Sequence, residues 1–279
     1  ILEQATTIEG LSEKRRSTAE EMLDNANTAA DRIEAGISAL NDPEHLEAFC
    51  LANKVMARSA RQRFSQITGK ALEDVDEPKW RPFQLAFILL SIRGMVDSTH
   101  TDREIVDLLF FPTGGGKTEA YLGLAAFTLV LRRLRHPGIR SAGMSILMRY
   151  TLRLLTLDQL GRAAALICAL ELERKADPER FGQWPFEIGL WVGSAATPNR
   201  LGCKGYKGPG KDYTAYKKLN DFKKDSKNSP SPIPIENCPW CGTKFSADSF
   251  RLTPNINNPT NLQVGCVNHK CEFSGNQRL

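Results

Sequence analysis

The densest chemistry in this 279-residue chain is Pro112-Thr113-Gly114-Gly115-Gly116-Lys117-Thr118, three consecutive glycines followed by a lysine and a hydroxyl. Glycine reaches backbone dihedrals closed to other residues, so successive N–H groups can converge on phosphate oxygens. In such a loop Thr113, Gly114, Gly115 and Gly116 form the cradle. Lys117 reaches the β- and γ-phosphates of ATP, and the Thr118 hydroxyl ligates Mg2+. Asp107 to Phe111 is a short apolar run ahead of the loop, and a helical pattern from Glu119 to about Arg135 follows it. The loop is therefore expected between a strand and a helix N-terminus, whose dipole favours anions. The general pattern wants glycine five residues before Gly116, where this chain has Phe111. That departure argues against a generic nucleotide kinase.

Cysteine spacing points to a second chemistry. Of the seven cysteines, Cys50 and Cys168 sit inside apolar helical patterns. With an odd count, this argues against a secreted disulfide framework and for a reducing, cytoplasmic setting. Cys238-Pro239-Trp240-Cys241-Gly242 is a two-residue knuckle, and Cys266 and Cys271 follow after 24 intervening residues. Four thiolates complete a tetrahedral Zn2+ site with no open position, so Cys238, Cys241, Cys266 and Cys271 are expected to hold a structural zinc. The alternative set replaces Cys271 with His269. Cys203 is too distant along the chain to be an expected ligand.

Charge is localised as well. Lys204 to Asn228 holds eight lysines and three aspartates, a net +5 that equals the formal excess of the whole chain. Tyr206, Tyr213, Tyr216 and Phe222 are interleaved with those lysines. Two readings stand side by side: a nucleic-acid contact, with lysines on phosphates and tyrosines on bases, or a solvated loop. With 41% hydrophobic and 25% charged residues the proportions are globular. No apolar run approaches the ~18 residues of a membrane-spanning helix, so no membrane role is expected.

The elements that must carry these groups can be read from periodicity. Apolar residues at helical spacing from Leu11 to Leu40, and again beyond Pro43, predict a helical region over residues 1–76. Trp80 to Val96 reads as a buried helix. Asp107–Phe111, Met144–Met148 and Glu187–Val192 read as strands, alternating with helices at Glu119–Arg135 and Thr151–Arg174. That alternation predicts an α/β fold, a parallel sheet with helices on both faces, over residues 77–200. Residues 201–279 then form a Lys-rich insertion with a four-cysteine zinc module.

Several of these strings together resemble superfamily 2 helicases. Pro-Thr-Gly-Gly-Gly-Lys-Thr-Glu at 112–119 resembles their motif I, and Arg81-Pro82-Phe83-Gln84 their Arg-x-x-Gln segment. Arg149-Tyr150-Thr151-Leu152-Arg153 resembles motif Ia, and Val192-Gly193-Ser194-Ala195-Ala196-Thr197-Pro198-Asn199 the motif Ib region. With the Cys-Pro-x-Cys-Gly insertion, the combination is most similar to the helicase family of the DISARM phage-defence systems. The resemblance implies a RecA-like P-loop NTPase lobe, carrying motifs I, Ia and Ib, of a bacterial ATP-dependent DNA helicase or translocase. Gln84 would read the adenine edge; Arg149, Thr151, Arg153 and Thr197 would hold the backbone of DNA, single-stranded or at a duplex end. A partner subunit of the defence system and a DNA methyltransferase are also implied. No acidic pair after an apolar strand follows Thr118, and no second lobe follows either. The chain therefore reads as a piece of a longer protein that binds nucleotide without hydrolysing it. The motor of a restriction endonuclease, or a DNA-binding assembly module with a vestigial phosphate loop, are the alternative readings.

Overall fold

Asp42 stops one helix and starts the next. Its Oδ1 accepts the backbone N–H groups of Glu44 at 2.9 Å and His45 at 3.3 Å, satisfying first-turn donors that have no helical partner. The His45 bond, with that of Glu44, holds this exposed carboxyl below its ordinary range. On either side lie α1 (Glu13–Ala39) and α2 (Pro43–Thr68). A computed structural model describes residues 12–112, 114–149, 153–193 and 197–275. They fall into two compact units, Ile1–Lys54 with Lys79–Ser145 and Val55–Pro78 with Ile146–Leu279, so α2 contributes its first part to one and its second part to the other.

In the first unit, α3 (Pro82–Val96) packs on α1, and α4 (Lys117–Arg135) packs on α3. Pro82 begins α3 where a missing N–H costs nothing. The α1–α3 contact is close because Gly36 has no side chain: a Cβ there would sit 1.9 Å from the Leu89 carbonyl oxygen. Gly123 of α4 does the same against Ile88 and Trp80, and the Trp80 indole N–H donates to Asn53 Oδ1. Ile92, Ala126, Phe127 and Val130 form the buried centre. Arg32 reaches from α1 to Asp102 at 3.0 Å and to both oxygens of Asp107 at 2.6 and 2.9 Å. Those bonds, Asp107 first, push its guanidinium pKa further up and fix the start of the segment that leads to Gly114.

The second unit contains the end of α2, α5 (Arg153–Ala176), α6 (Pro178–Phe181), α7 (Ala215–Lys224) and a hairpin of β1 (Phe250–Thr253) and β2 (Asn261–Val264). The strands pair antiparallel, Phe250 opposite Val264 and Thr253 opposite Asn261. Helix α7 lies inside the Lys-rich window, where periodicity predicts no regular structure. Thr214 caps it by accepting from the Lys217 N–H at 3.2 Å, and Ala215, Leu219 and Phe222 form its buried face. Phe222 and Phe245 both meet Phe250 edge-on, at 5.8 and 5.7 Å between centroids.

The expected α/β lobe is not found. Among the described residues the architecture is helical, with seven α-helices, and the sole sheet is the two-stranded antiparallel hairpin. The predicted helices are present at Pro82–Val96, Lys117–Arg135 and Arg153–Ala176, but the predicted strands 107–111, 144–148 and 187–192 have no ladder partners. Val106 is 94% exposed, Leu108 85%, Phe110 92% and Trp191 100%. An apolar run expresses a preference for burial and says nothing of what lies alongside; a parallel strand needs a neighbour and a helix layer to satisfy it. Here the helices that would cover one sheet, α4 and α5, belong to different units, and the division falls inside the second predicted strand.

Two glycine substitutions should have opposite effects. Gly36→Ala forces a methyl group onto the Leu89 carbonyl and is expected to destabilise by about 1–3 kcal/mol. Gly161→Ala, in α5 with nothing within 4 Å of its Cβ, should stabilise by about 0.5–1 kcal/mol. Urea unfolding of both variants checks the pair; a neutral Gly36→Ala contradicts the close α1–α3 approach.

Candidate functional site

The glycine loop closes as a tight turn against the start of α4. The Gly115 N–H donates to the Pro112 carbonyl at 3.0 Å, and Gly114 and Gly116 have φ of 81° and 91°, the left-handed region glycine tolerates. Gly116 is the residue before the first turn of α4, so Lys117 and Thr118 open a 19-residue helix. Lys117 folds back over the turn: its Nζ donates to the Phe111 carbonyl, and to that of Pro112 at 3.2 Å. Lys117 and Thr118 are both half-buried. Thr113 lies outside the described residues.

Helix α3 reaches the same turn. The Arg81 guanidinium donates to the Gly115 carbonyl at 2.8 Å and the Gln84 amide to the Gly116 carbonyl at 2.8 Å. Gln84 Oε1 in turn accepts the Arg81 backbone N–H at 2.8 Å. The Phe83 ring stacks on Phe111 with centroids 3.9 Å apart and planes 12° from parallel. The ring of Phe111, the residue at which the glycine pattern departs, also fills the space a Gly115 side chain would enter, 2.4 Å from its Cβ position. Arg81 and Gln84 stand in the sequence string Arg-x-x-Gln, but their bonds to the loop carbonyls were not legible from it.

The expected nucleic-acid residues belong to the second unit, whereas the loop belongs to the first. Arg149 is exposed and Thr197 half-buried; Thr151 and the Arg153 side chain lie outside the described residues. In the Lys-rich window Lys204, Lys207, Lys211, Lys223, Lys224 and Lys227 are exposed. Of its four aromatics, Phe222 is buried, Tyr216 is half-buried and the Tyr206 hydroxyl is engaged by Arg200 at 3.0 Å. Tyr213 is the one left largely open to solvent.

The four expected metal cysteines converge. The Sγ atoms of Cys238, Cys241, Cys266 and Cys271 all lie within 4.8 Å of one another, with Cys238–Cys271 at 3.9 Å and Cys241–Cys266 at 3.4 Å. A tetrahedron with Zn–S bonds of about 2.3 Å has S···S edges of about 3.8 Å, so the donor set fits Zn2+ in type and spacing. His269 is exposed and outside the group. Local backbone builds both halves. The left-handed Gly242 turns the knuckle so that its N–H meets the Cys238 carbonyl at 2.9 Å. The N–H groups of Asn268 and Phe273 point at Cys266 Sγ (3.4 Å) and Cys271 Sγ (3.5 Å).

Burial pushes the Cys238 thiol far up and raises Cys271 to about 12. At Cys241 burial acts in the same direction, but bonding with Thr243, whose hydroxyl is 3.2 Å away, and with Cys266 outweighs it and draws the thiol down to about 7. Burial thus disfavours the thiolates of Cys238 and Cys271, and a bound cation would favour them. Cys168 of α5, raised to about 12 by burial and by the nearby Cys271, is not one of the four.

Side chains far away in sequence hold this cluster. Gln66 Nε2 of α2 donates to the Trp240 carbonyl at 2.6 Å, and the buried Trp240 indole N–H donates to Glu272 at 2.8 Å. The Arg58 guanidinium lies 5.4 Å from the centroid of the Trp240 ring, 3.6 Å from Glu173 of α5 and 3.6 Å from Glu272. Lys175 sits 5.1 Å from the Phe273 ring. No spacing rule links residues 58 and 66 to a knuckle near residue 240, and this support was not readable in the sequence.

No protein-family model matches the chain. It is 38% identical to the DISARM protein DrmA of Bacillus paralicheniformis over 93% of this chain, and it spans about a quarter (24%) of the length of that relative. The similarity to a DISARM protein, expected from the motif strings, thus extends along nearly the whole chain. Among the described residues no helix is long and apolar enough to cross a membrane.

Metal uptake follows from the thiol chemistry. Zn2+ is expected to bind once per chain, releasing protons, so affinity should rise with pH as the raised Cys238 and Cys271 thiols ionise onto the metal. Cys238→Ser should lower affinity at least tenfold by removing a thiolate from a closed four-sulfur set. Competition against a chromogenic chelator at two pH values measures both; pH-independent uptake would contradict the ligand assignment.

Proposed function

We propose that this chain is the nucleotide-binding part of an ATP-dependent DNA helicase or translocase in a bacterial, cytoplasmic anti-phage defence system. The observation that carries the reading is the turn at Gly114–Gly116, capped by a left-handed glycine and followed by Lys117 at the first position of a long helix. The first N–H groups of α4 have no intrahelical acceptor, and with Lys117 they make a cationic helix end suited to phosphate. The similarity to DISARM protein DrmA supports assignment to the defence system.

In this reading ATP displaces the Phe111 and Pro112 carbonyls from Lys117, which then neutralises the β- and γ-phosphate oxygens. The Thr118 hydroxyl would ligate Mg2+, and the N–H groups of Gly114 and Gly116 would supply the cradle, joined by that of Gly115 once it leaves the Pro112 carbonyl. Hydrolysis also needs an acidic pair that orients water and metal. The sequence from Thr118 onward carries no such pair after an apolar run, so this chain binds without turning over. Arg149, Thr151, Arg153 and Thr197 contact the DNA backbone, joined by the exposed lysines of the 204–227 window. Zn2+ on the four cysteines is structural, since four sulfurs leave no open coordination position. A partner subunit of the same system completes the assembly.

Lys117→Ala removes the ammonium while leaving the helix intact. A charge-assisted bond of about 1.5–3 kcal/mol corresponds to a loss of roughly 10–100-fold in Mg-ATP affinity. Binding of a fluorescent ATP analogue reads this, with DNA anisotropy as a control that should not move. Equal nucleotide affinity in the variant would contradict the reading and favour a DNA-binding module with a vestigial loop.

A further inference from the structure

The first turn of α3 grips the glycine loop at both ends, through Phe83 on the Phe111 ring and through Arg81 and Gln84 on two successive carbonyls. Gln84 is only 5% exposed, and each end of its amide is already committed: Oε1 closes the start of its own helix on the Arg81 N–H, and Nε2 is bonded to the Gly116 carbonyl. The loop is shaped around it. A Cβ on Gly116 would lie 2.7 Å from Gln84 Nε2, so a side chain at that position is excluded by the glutamine as well as by the positive φ. A glutamine that reads a base must present a free donor–acceptor edge to the ligand. This one presents its edge to the protein.

We infer that Arg81 and Gln84 are positioning residues that latch the phosphate loop to α3, and that Gln84 sets the geometry of the loop without selecting the base. The latch pins the Gly115 and Gly116 carbonyls on the α3 side, so the entry into α4 keeps its left-handed turn before any ligand arrives. The inference rests on the phosphate-binding reading for its ligand, but the latch is a property of the free chain. Nucleotide preference then comes from the triphosphate and not from Gln84, which makes the site tolerant of other bases.

The test compares Gln84→Ala and Gln84→Glu in the intact chain. Gln84→Glu keeps an oxygen for the Arg81 N–H, and so the start of α3, while removing the donor to Gly116. Affinities are measured for Mg-ATP, Mg-GTP and inorganic tripolyphosphate. Both variants should weaken all three ligands by a common factor of about five or more, leaving the ATP-to-GTP ratio within about twofold of the parent. Loss confined to ATP would overturn the latch in favour of base reading, and no loss at all would overturn it too. If the parent chain binds none of the three, the phosphate-binding reading fails, and the latch is decided separately. Amide exchange at residues 115–119 without ligand should then quicken in Gln84→Glu, and unchanged exchange would overturn it.

Discussion

One backbone conformation underlies the proposed chemistry of the first unit: the left-handed Gly116 that leads the chain into α4. A helix beginning at Lys117 places that lysine and Thr118 side by side at a cationic end, and a start one residue later would rotate Lys117 out of the first turn. The conformation is not left to glycine alone. Gln84 bonds the Gly116 carbonyl, Arg81 the Gly115 carbonyl, and the Phe83–Phe111 stack fixes the approach. The position of α3 depends in turn on Gly36 beneath Leu89 and on Trp80, which packs against Gly123 of α4. A packing defect at residue 36 is therefore expected to reach the loop through α3.

The second unit rests on a different constraint. Four sulfurs within 4.8 Å of one another, three of them on buried residues, cannot all be ionised without a cation. Around them the unit spends aromatic and charged side chains: Trp240 and Phe273 meet edge-on at 6.0 Å, with Arg58 and Lys175 against their rings. Glu173 and Lys175 lie near the end of α5 and Arg58 and Gln66 in α2, so side chains from two helices well before the cluster in sequence pack around it. The cysteine cluster is thus part of the core of this unit.

What could be read from the sequence was chemistry compressed into contiguous residues. Gly114–Thr118 and Cys238–Gly242 each carry their geometry locally, since a turn needs glycine and a knuckle needs two residues between its sulfurs. The helix start at Pro43 was legible from its proline and acidic cap, whereas the helix read from Trp80 begins at Pro82. The three apolar runs at 107–111, 144–148 and 187–192 misled because their composition is that of strands while their partners are not specified by it. Helix α7 was hidden for the opposite reason: its apolar stripe of Ala215, Leu219 and Phe222 is only three residues among five lysine and aspartate positions. The clasp of Arg58 and Gln66 on Trp240 depends wholly on tertiary placement.

The account stands or falls on whether the turn before α4 receives phosphate. The most direct measurement is the 31P spectrum of ATP with Mg2+ as the chain is added. The account predicts that the β- and γ-phosphate resonances shift and broaden saturably, because those are the groups Lys117 and Thr118 reach. Resonances that stay in place and sharp beside folded, zinc-loaded protein would contradict it.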